Sequence, residues 1–155
     1  WENFRVGDLF DIRPTKGYKG LNKEDLDEEG VTPFVVNSAE NNGIGGFSNL
    51  EPTERGGIIT FSDTTEGNTF FYQPDDFIGF AHVQGMYPRH TRWSSYSLLF
   101  LTSILTFHNH WRYNYGRKMR RDKIMDTKIL LPAKNGLPDW QFMEDYIKSL
   151  PYSTN

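Results

Sequence analysis

Residues 56–88, GGIITFSDTTEGNTFFYQPDDFIGFAHVQGMYP, restrict most tightly what this chain can become. Two runs, Ile58-Ile59-Thr60-Phe61 and Phe70-Phe71-Tyr72, have the β-branched and aromatic content of strands, and small polar residues with one glycine separate them. They predict two strands held apart by an exposed loop. A third run, Phe77-Ile78-Gly79-Phe80-Ala81-His82-Val83, predicts a third strand that gives way at Gln84-Gly85-Met86-Tyr87-Pro88, after which the chain turns basic. Strands that present polar loops beside a positive surface suit a binding platform better than a buried catalytic pocket.

At 155 residues the chain has the size of one domain and can bury a core without metal or disulfide staples. Its 12 Phe, 8 Tyr and 4 Trp, punctuated by 14 Gly and 8 Pro, argue against an all-helical bundle. The absence of cysteine excludes disulfides, cysteine-ligated zinc, iron–sulfur clusters and thiol nucleophiles, and fits a cytoplasmic protein. No apolar run approaches bilayer length and Trp1-Glu2-Asn3-Phe4-Arg5 does not resemble a signal peptide, so no membrane role is expected. A start at Trp1 rather than Met fits a piece of a longer chain.

The net charge of −3 conceals a strong asymmetry. Residues 1–83 carry 6 Lys and Arg against 15 Asp and Glu, whereas residues 84–123 carry 8 against 1. A basic block in an acidic protein suits an anionic partner, and it equally suits internal compensation of the acidic half.

The entry segment Phe4-Arg5-Val6-Gly7-Asp8-Leu9-Phe10-Asp11-Ile12 predicts a short helix or extended piece that buries Phe4, Val6, Leu9, Phe10 and Ile12. Residues 22–30, with an Asn cap, acidic first turn and Gly stop, predict a short exposed helix. Val31-Thr32-Pro33-Phe34-Val35-Val36 predicts an edge strand, followed by a turn-rich loop at residues 37–46. Ser94 or Ser95 caps a buried helix over residues 96–111, whose end runs into cations interleaved with aromatics. Residues 124–132 predict a strand stopped by Pro132. A last helix, with Pro138 in its first turn, carries Trp140, Met143, Ile147 and Leu150 on one stripe. The sum is a mixed α/β, or α+β, globular domain with a central, mostly antiparallel sheet, one buried helix and a C-terminal amphipathic helix.

Little in the chain points to catalysis. His108-Asn109-His110 spells a nuclease name, but in a helix His108 and His110 lie on different faces, which is poor geometry for joint metal ligation. Asp63, Glu66 and Lys128 could form a metal-dependent nuclease set, and magnesium-dependent cutting lost in Asp63→Ala would support it. A protein-interaction or inhibitor domain, binding through its aromatics, is a third reading. No phosphate-cradling GxxxxGK[ST] motif occurs, and no metal site is expected.

Taken in order, Phe4-Arg5-Val6-Gly7-Asp8-Leu9-Phe10-Asp11-Ile12, Pro33-Phe34-Val35, Asn41-Asn42-Gly43-Ile44, Gly57-Ile58-Ile59-Thr60, Tyr115-Gly116-Arg117, Lys128-Ile129-Leu130-Leu131-Pro132 and Pro138-Asp139-Trp140-Gln141-Phe142-Met143 form a distinctive series. The series resembles the target-recognition domain of restriction-modification specificity subunits, in type I systems and the related type IIB (BcgI-like) enzymes. That resemblance covers nearly the whole chain. It implies a non-catalytic bacterial module that recognises half of a bipartite double-stranded DNA target, while methyltransferase and restriction subunits supply adenine methylation and cleavage. S-adenosylmethionine, magnesium and ATP would belong to those partners, and no cofactor to this chain. It also implies a recognition domain over residues 1–137 and, over 138–155, the start of a spacer or dimerisation helix, so that a second recognition domain or a second copy completes the target.

Residue chemistry then suggests where DNA is held. Base-edge candidates are Asn37, Ser38, Asn41, Asn42, Ser62, Asp63, Thr65, Asn68, Gln84 and Arg89, since amides suit adenine and guanidinium suits guanine. Phosphate candidates are Lys16, Lys19, Arg92, Arg117, Lys118, Arg120 and Arg121. Asn41, Asn42 and Asn68 equally suit turn formation, and Arg120 and Arg121 equally suit pairing with acidic side chains.

Overall fold

The computed structural model describes residues 1–22, 29–64, 69–112 and 120–151, without the side chains of 109–112. Strand β1 (Glu2–Arg5) leads into a one-turn helix α1 (Val6–Leu9) and strand β2 (Phe10–Pro14). A hairpin of β3 (Thr32–Val35) and β4 (Ile44–Ser48) precedes β5 (Ile58–Ser62), β6 (Phe70–Gln73) and β7 (Val83–Pro88). Then come α2 (Ser95–Arg112), α3 (Arg121–Asp126), β8 (Lys128–Leu131), the β9 (Ala133–Lys134) and β10 (Leu137–Pro138) hairpin, and α4 (Trp140–Lys148).

The central sheet is antiparallel, in the order β2-β7-β5-β6. One row across it runs Ile12, Met86, Ile59, Tyr72, and the first three of these are buried. With Phe10, Phe61 and Phe70 that face packs on Leu98, Leu101 and Leu105 of α2 and on Trp140 and Met143 of α4. The opposite face places Ile58 and Val83 against Val35 and Phe77. Every residue of β5 is therefore buried, which explains why Ile58-Ile59-Thr60-Phe61 reads as a continuous apolar run rather than an alternating one. The α+β architecture, the antiparallel sheet and the helix over the second half of the chain are as the sequence predicts.

Several elements differ from the sequence expectation. Residues 77–82 form no strand: Phe77 and Ile78 make isolated bridges to Glu54 and Phe34, a turn bonds Val83 N–H to Phe80 O, and β7 begins only at Val83. A strand cannot run through His82, whose φ of 66° is left-handed. β5 and β6 are not merely held apart; they pair directly. β4 begins inside the segment expected to be loop, and residues 124–126, expected as the start of a strand, instead end helix α3. Pro138 ends β10, and the α4 cap is Asp139, which accepts from Phe142 N–H at 3.0 Å. Leu99, Phe107 and Leu150 are exposed, so α2 and the α4 stripe are only partly buried. The helix expected at residues 22–30 falls mostly outside the described residues.

Other features follow local chemistry. Ser94 caps α2 reciprocally with Ser97: Ser97 N–H donates to Ser94 Oγ at 3.2 Å, and Ser94 N–H to Ser97 Oγ at 2.8 Å. Asn135 and Gly136, both at positive φ, make the β9–β10 turn.

Candidate nucleic-acid interface

β7 runs between β2 and β5 of the central sheet over six residues, a path of roughly 20 Å at about 3.3 Å per residue. At its start the end of β5, the turn before β7 and the beginning of α3 converge. Asp63, His82, Arg120, Arg121, Asp122 and Met125 line a groove of about 600 Å³ there. This is where a polar loop and the basic block meet: Asp63 comes from the first, Arg120 and Arg121 from the second.

The groove is ordered by hydrogen bonds. Asp63 N–H donates to His82 O at 3.0 Å, one carboxylate oxygen lies 3.1 Å from His82 Nδ1, and the other accepts from Gln84 Nε2 at 2.9 Å. Gln84 is buried with its Oε1 unpartnered, while the His82 side chain is 63% exposed. Across the groove Arg120 forks onto Asp122 at 2.9 and 3.3 Å. That pairing holds the Asp122 carboxyl below its ordinary pKa and raises that of Arg120. Both side chains face solvent, so the pair contributes little to stability and can exchange partners.

A second hollow, lined in part by Lys19, Gly79, Phe80 and Ala81, shares His82 with the groove. Its wall depends on a close backbone approach. A Cβ on Gly17 would lie 2.3 Å from Gly79 O, and one on Gly79 would lie 2.4 Å from Lys16 O. Glu54 fixes the same strap: its buried carboxylate accepts from Lys16 N–H at 2.6 Å and pairs with Arg13 at 3.2 Å. The Arg13 guanidinium stacks 3.8 Å from the Tyr87 ring centre. Burial first, and the Glu54 carboxylate second, push the Tyr87 phenol far above its ordinary pKa.

The remaining sequence candidates are distributed elsewhere. Asn37 and Asn41 are exposed and Ser38 accepts from Glu40 N–H, all in the β3–β4 connection. Asn42 is turned inward, its amide donating to Tyr72 O at 2.9 Å and Gln73 Oε1 at 3.3 Å, while Gln73 bonds back to Asn42 O and to Thr60. Its left-handed φ of 58° and these bonds give it a structural task. Ser62 is buried and shares its hydroxyl with Thr64. Arg89 sits at the far end of β7, donating to Gly7 O at 3.0 Å, and does not reach the groove. Arg92 lies 5.5 Å over the Trp140 ring and lines a separate hollow with Lys134 and Asn135. The Lys16 side chain is exposed, and Lys128 sits in β8 opposite Arg5 rather than with Asp63. Thr65, Asn68, Arg117 and Lys118, and Glu66 of the nuclease reading, lie outside the described residues. Among the described residues no group of three or more His, Asp and Glu side chains is placed to hold a metal ion, and none of their helices is long and apolar enough to cross a membrane.

Sequence reasoning missed His82 and Glu54. His82 stands in an apolar run that mimics a strand, and Glu54 is one acid among many in an acidic half. Nothing local marks either.

Comparison with known proteins shows the family and the fold. The model of the type I restriction modification DNA specificity domain matches residues 1–151, and the chain belongs to that family. It is 28% identical over 149 residues to the specificity subunit S.BcgI of a type II restriction enzyme from Heyndrickxia coagulans, covering 95% of this chain and 42% of that protein. Its fold is that of the type I restriction-modification S subunit from M. genitalium, with a TM-score of 0.70 at 15% identity, over 95% of this chain and 37% of that one. The HsdS subunit from Thermoanaerobacter tengcongensis matches with a TM-score of 0.59 at 13% identity, over 96% and 36%. The chain thus spans about two fifths of the relatives it matches. The resemblance read from the order of motifs holds.

Proposed function

We propose that this chain is a target-recognition domain that reads one half of a bipartite duplex DNA sequence for a bacterial restriction-modification complex, and that it catalyses nothing itself. The observation that carries the reading is the convergence of Asp63 and His82 with Arg120 and Arg121 on one groove in a chain of the DNA specificity family. Such a groove offers base-edge chemistry on one wall and phosphate chemistry on the other.

Partner subunits then supply adenine methylation with S-adenosylmethionine, and cleavage with magnesium and ATP, in the cytoplasm where the DNA lies. Residues 1–137 are the reader. Residues 138–155 begin the element that joins it to a second reader, in the same longer chain or in a second copy.

The test is selection of a random duplex library on the purified chain at two salt concentrations. Enrichment of a short motif, with retention that falls steeply as salt rises, is the expected result. Salt-sensitive retention without a motif would reduce the chain to a backbone binder, and a stable protein complex without DNA retention would replace the reading with protein interaction.

A further inference from the structure

Four described residues other than glycine have left-handed backbone, and three of them are asparagines: Asn41, Asn42 and Asn135. Asparagine tolerates that region because its short amide bonds locally. His82 is the fourth, at φ 66°, with a largely exposed ring. A ring there gains little burial to offset the backbone strain, and such outliers cluster at functional positions.

The surroundings of the ring specify its chemistry. An ionised carboxylate only accepts, so the 3.1 Å contact requires Nδ1–H to donate to Asp63. Gln84 holds the other Asp63 oxygen and thereby the carboxylate's orientation. In the neutral ring Nε2 then carries the lone pair. Arg120 and Arg121 stand in the same groove and Lys19 lines the adjoining hollow. A phosphate offers only acceptors, so its oxygens suit those cations and not a lone pair on Nε2. The donors that duplex DNA offers in its grooves are exocyclic amino groups: adenine N6 and cytosine N4 in the major groove, guanine N2 in the minor.

We infer that His82 is a specificity-determining residue whose neutral ring, oriented by the Asp63–Gln84 pair, accepts at Nε2 a hydrogen bond from one exocyclic base amino group in the half-site. Asp63 is then a positioning residue, its two oxygens engaging His82 Nδ1 and Gln84 Nε2. The inference rests on the DNA-reading function proposed above.

The decisive variant is His82→Gly. Glycine adopts φ 66° without strain, so the variant keeps or gains thermal stability while losing the imidazole. Fluorescence anisotropy with the selected half-site, and with duplexes in which one amino group at a time is deleted (purine for adenine, hypoxanthine for guanine, 2-pyrimidinone for cytosine), reads the contact directly. One deletion should weaken the wild-type chain about tenfold, the scale of one hydrogen bond lost with its partner left unpaired. His82→Gly should be insensitive to that same deletion and as sensitive as wild type to the others. Asp63→Asn should blunt the response at that base pair alone, with Tm unchanged. Equal sensitivity of wild type and His82→Gly to every deletion overturns the assignment while leaving the DNA-reading function intact. A wild-type chain that retains duplexes without base preference overturns both.

Discussion

Two groups of polar side chains lie along β7, and the contrast between them separates what holds this fold from what the fold offers outward. Arg13, Glu54 and Tyr87 form the closed group: the Glu54 carboxylate is buried, its Oε2 engages both Arg13 and the Lys16 N–H, and the guanidinium lies over the Tyr87 ring. The Arg13 and Glu54 charges are directed at each other and at the backbone, while the Tyr87 hydroxyl is buried without a hydrogen-bond partner among the described residues. Asp63, His82, Arg120 and Arg121 form the open group around a groove. There the inner layer, Asp63 with Gln84, is bonded, while the outer layer keeps exposed donors and acceptors. The same residue types serve stability where burial removes water and recognition where water can be displaced by a ligand.

The sharpest way to break this contrast is Glu54→Ala. It leaves a half-buried guanidinium and a backbone N–H without their partner, and should lower stability by about 3 kcal/mol, checked by urea unfolding. Gly79→Ala should cost about 1–3 kcal/mol, because its Cβ would press on Lys16 O, and should displace the strap that carries Lys19. Glu54 lines neither the groove nor the adjoining hollow, so residual folded Glu54→Ala protein should retain its base preference in library selection.

In the open group the order reverses, with effects on binding and little on stability. Arg121→Ala should weaken all duplexes alike and reduce the slope of log affinity against log salt by about 1, measured by titration at several salt concentrations. Arg120→Ala should do the same by less, since Asp122 already competes for that cation. Asp122→Asn, the smallest effect, should raise non-specific affinity a few-fold by releasing Arg120 and removing a like charge from the path of a phosphate. A loss of several kcal/mol of stability in Asp122→Asn would show that the open group is structural after all.

Arg89 illustrates how far position matters. By residue type it is a fitting guanine reader, yet its Nε donates to Gly7 O at the far end of β7 from the groove. Asn42 makes the same point from the other side: the Asn-Gly pair announces a turn, and its amide is consumed in bonding the neighbouring strand.

Elements whose causes are local are legible in the chain alone. Ser94 beside an apolar helical stretch, the Asn135-Gly136 turn, the stripe of Trp140 and Met143, the two strands around residues 58–73 and the concentration of cations after residue 84 all follow from spacing and turn chemistry within a few residues. The order of motifs along the chain resembles the family that the match over residues 1–151 shows. Tertiary structure alone decided where β7 begins, which face of each strand meets α2, that Glu54 is buried, and that Asp63 finds His82 nineteen positions away. Those outcomes depend on which strands pair and in what register. Such contacts are selected by the burial of the whole core, and no window of neighbouring residues encodes them.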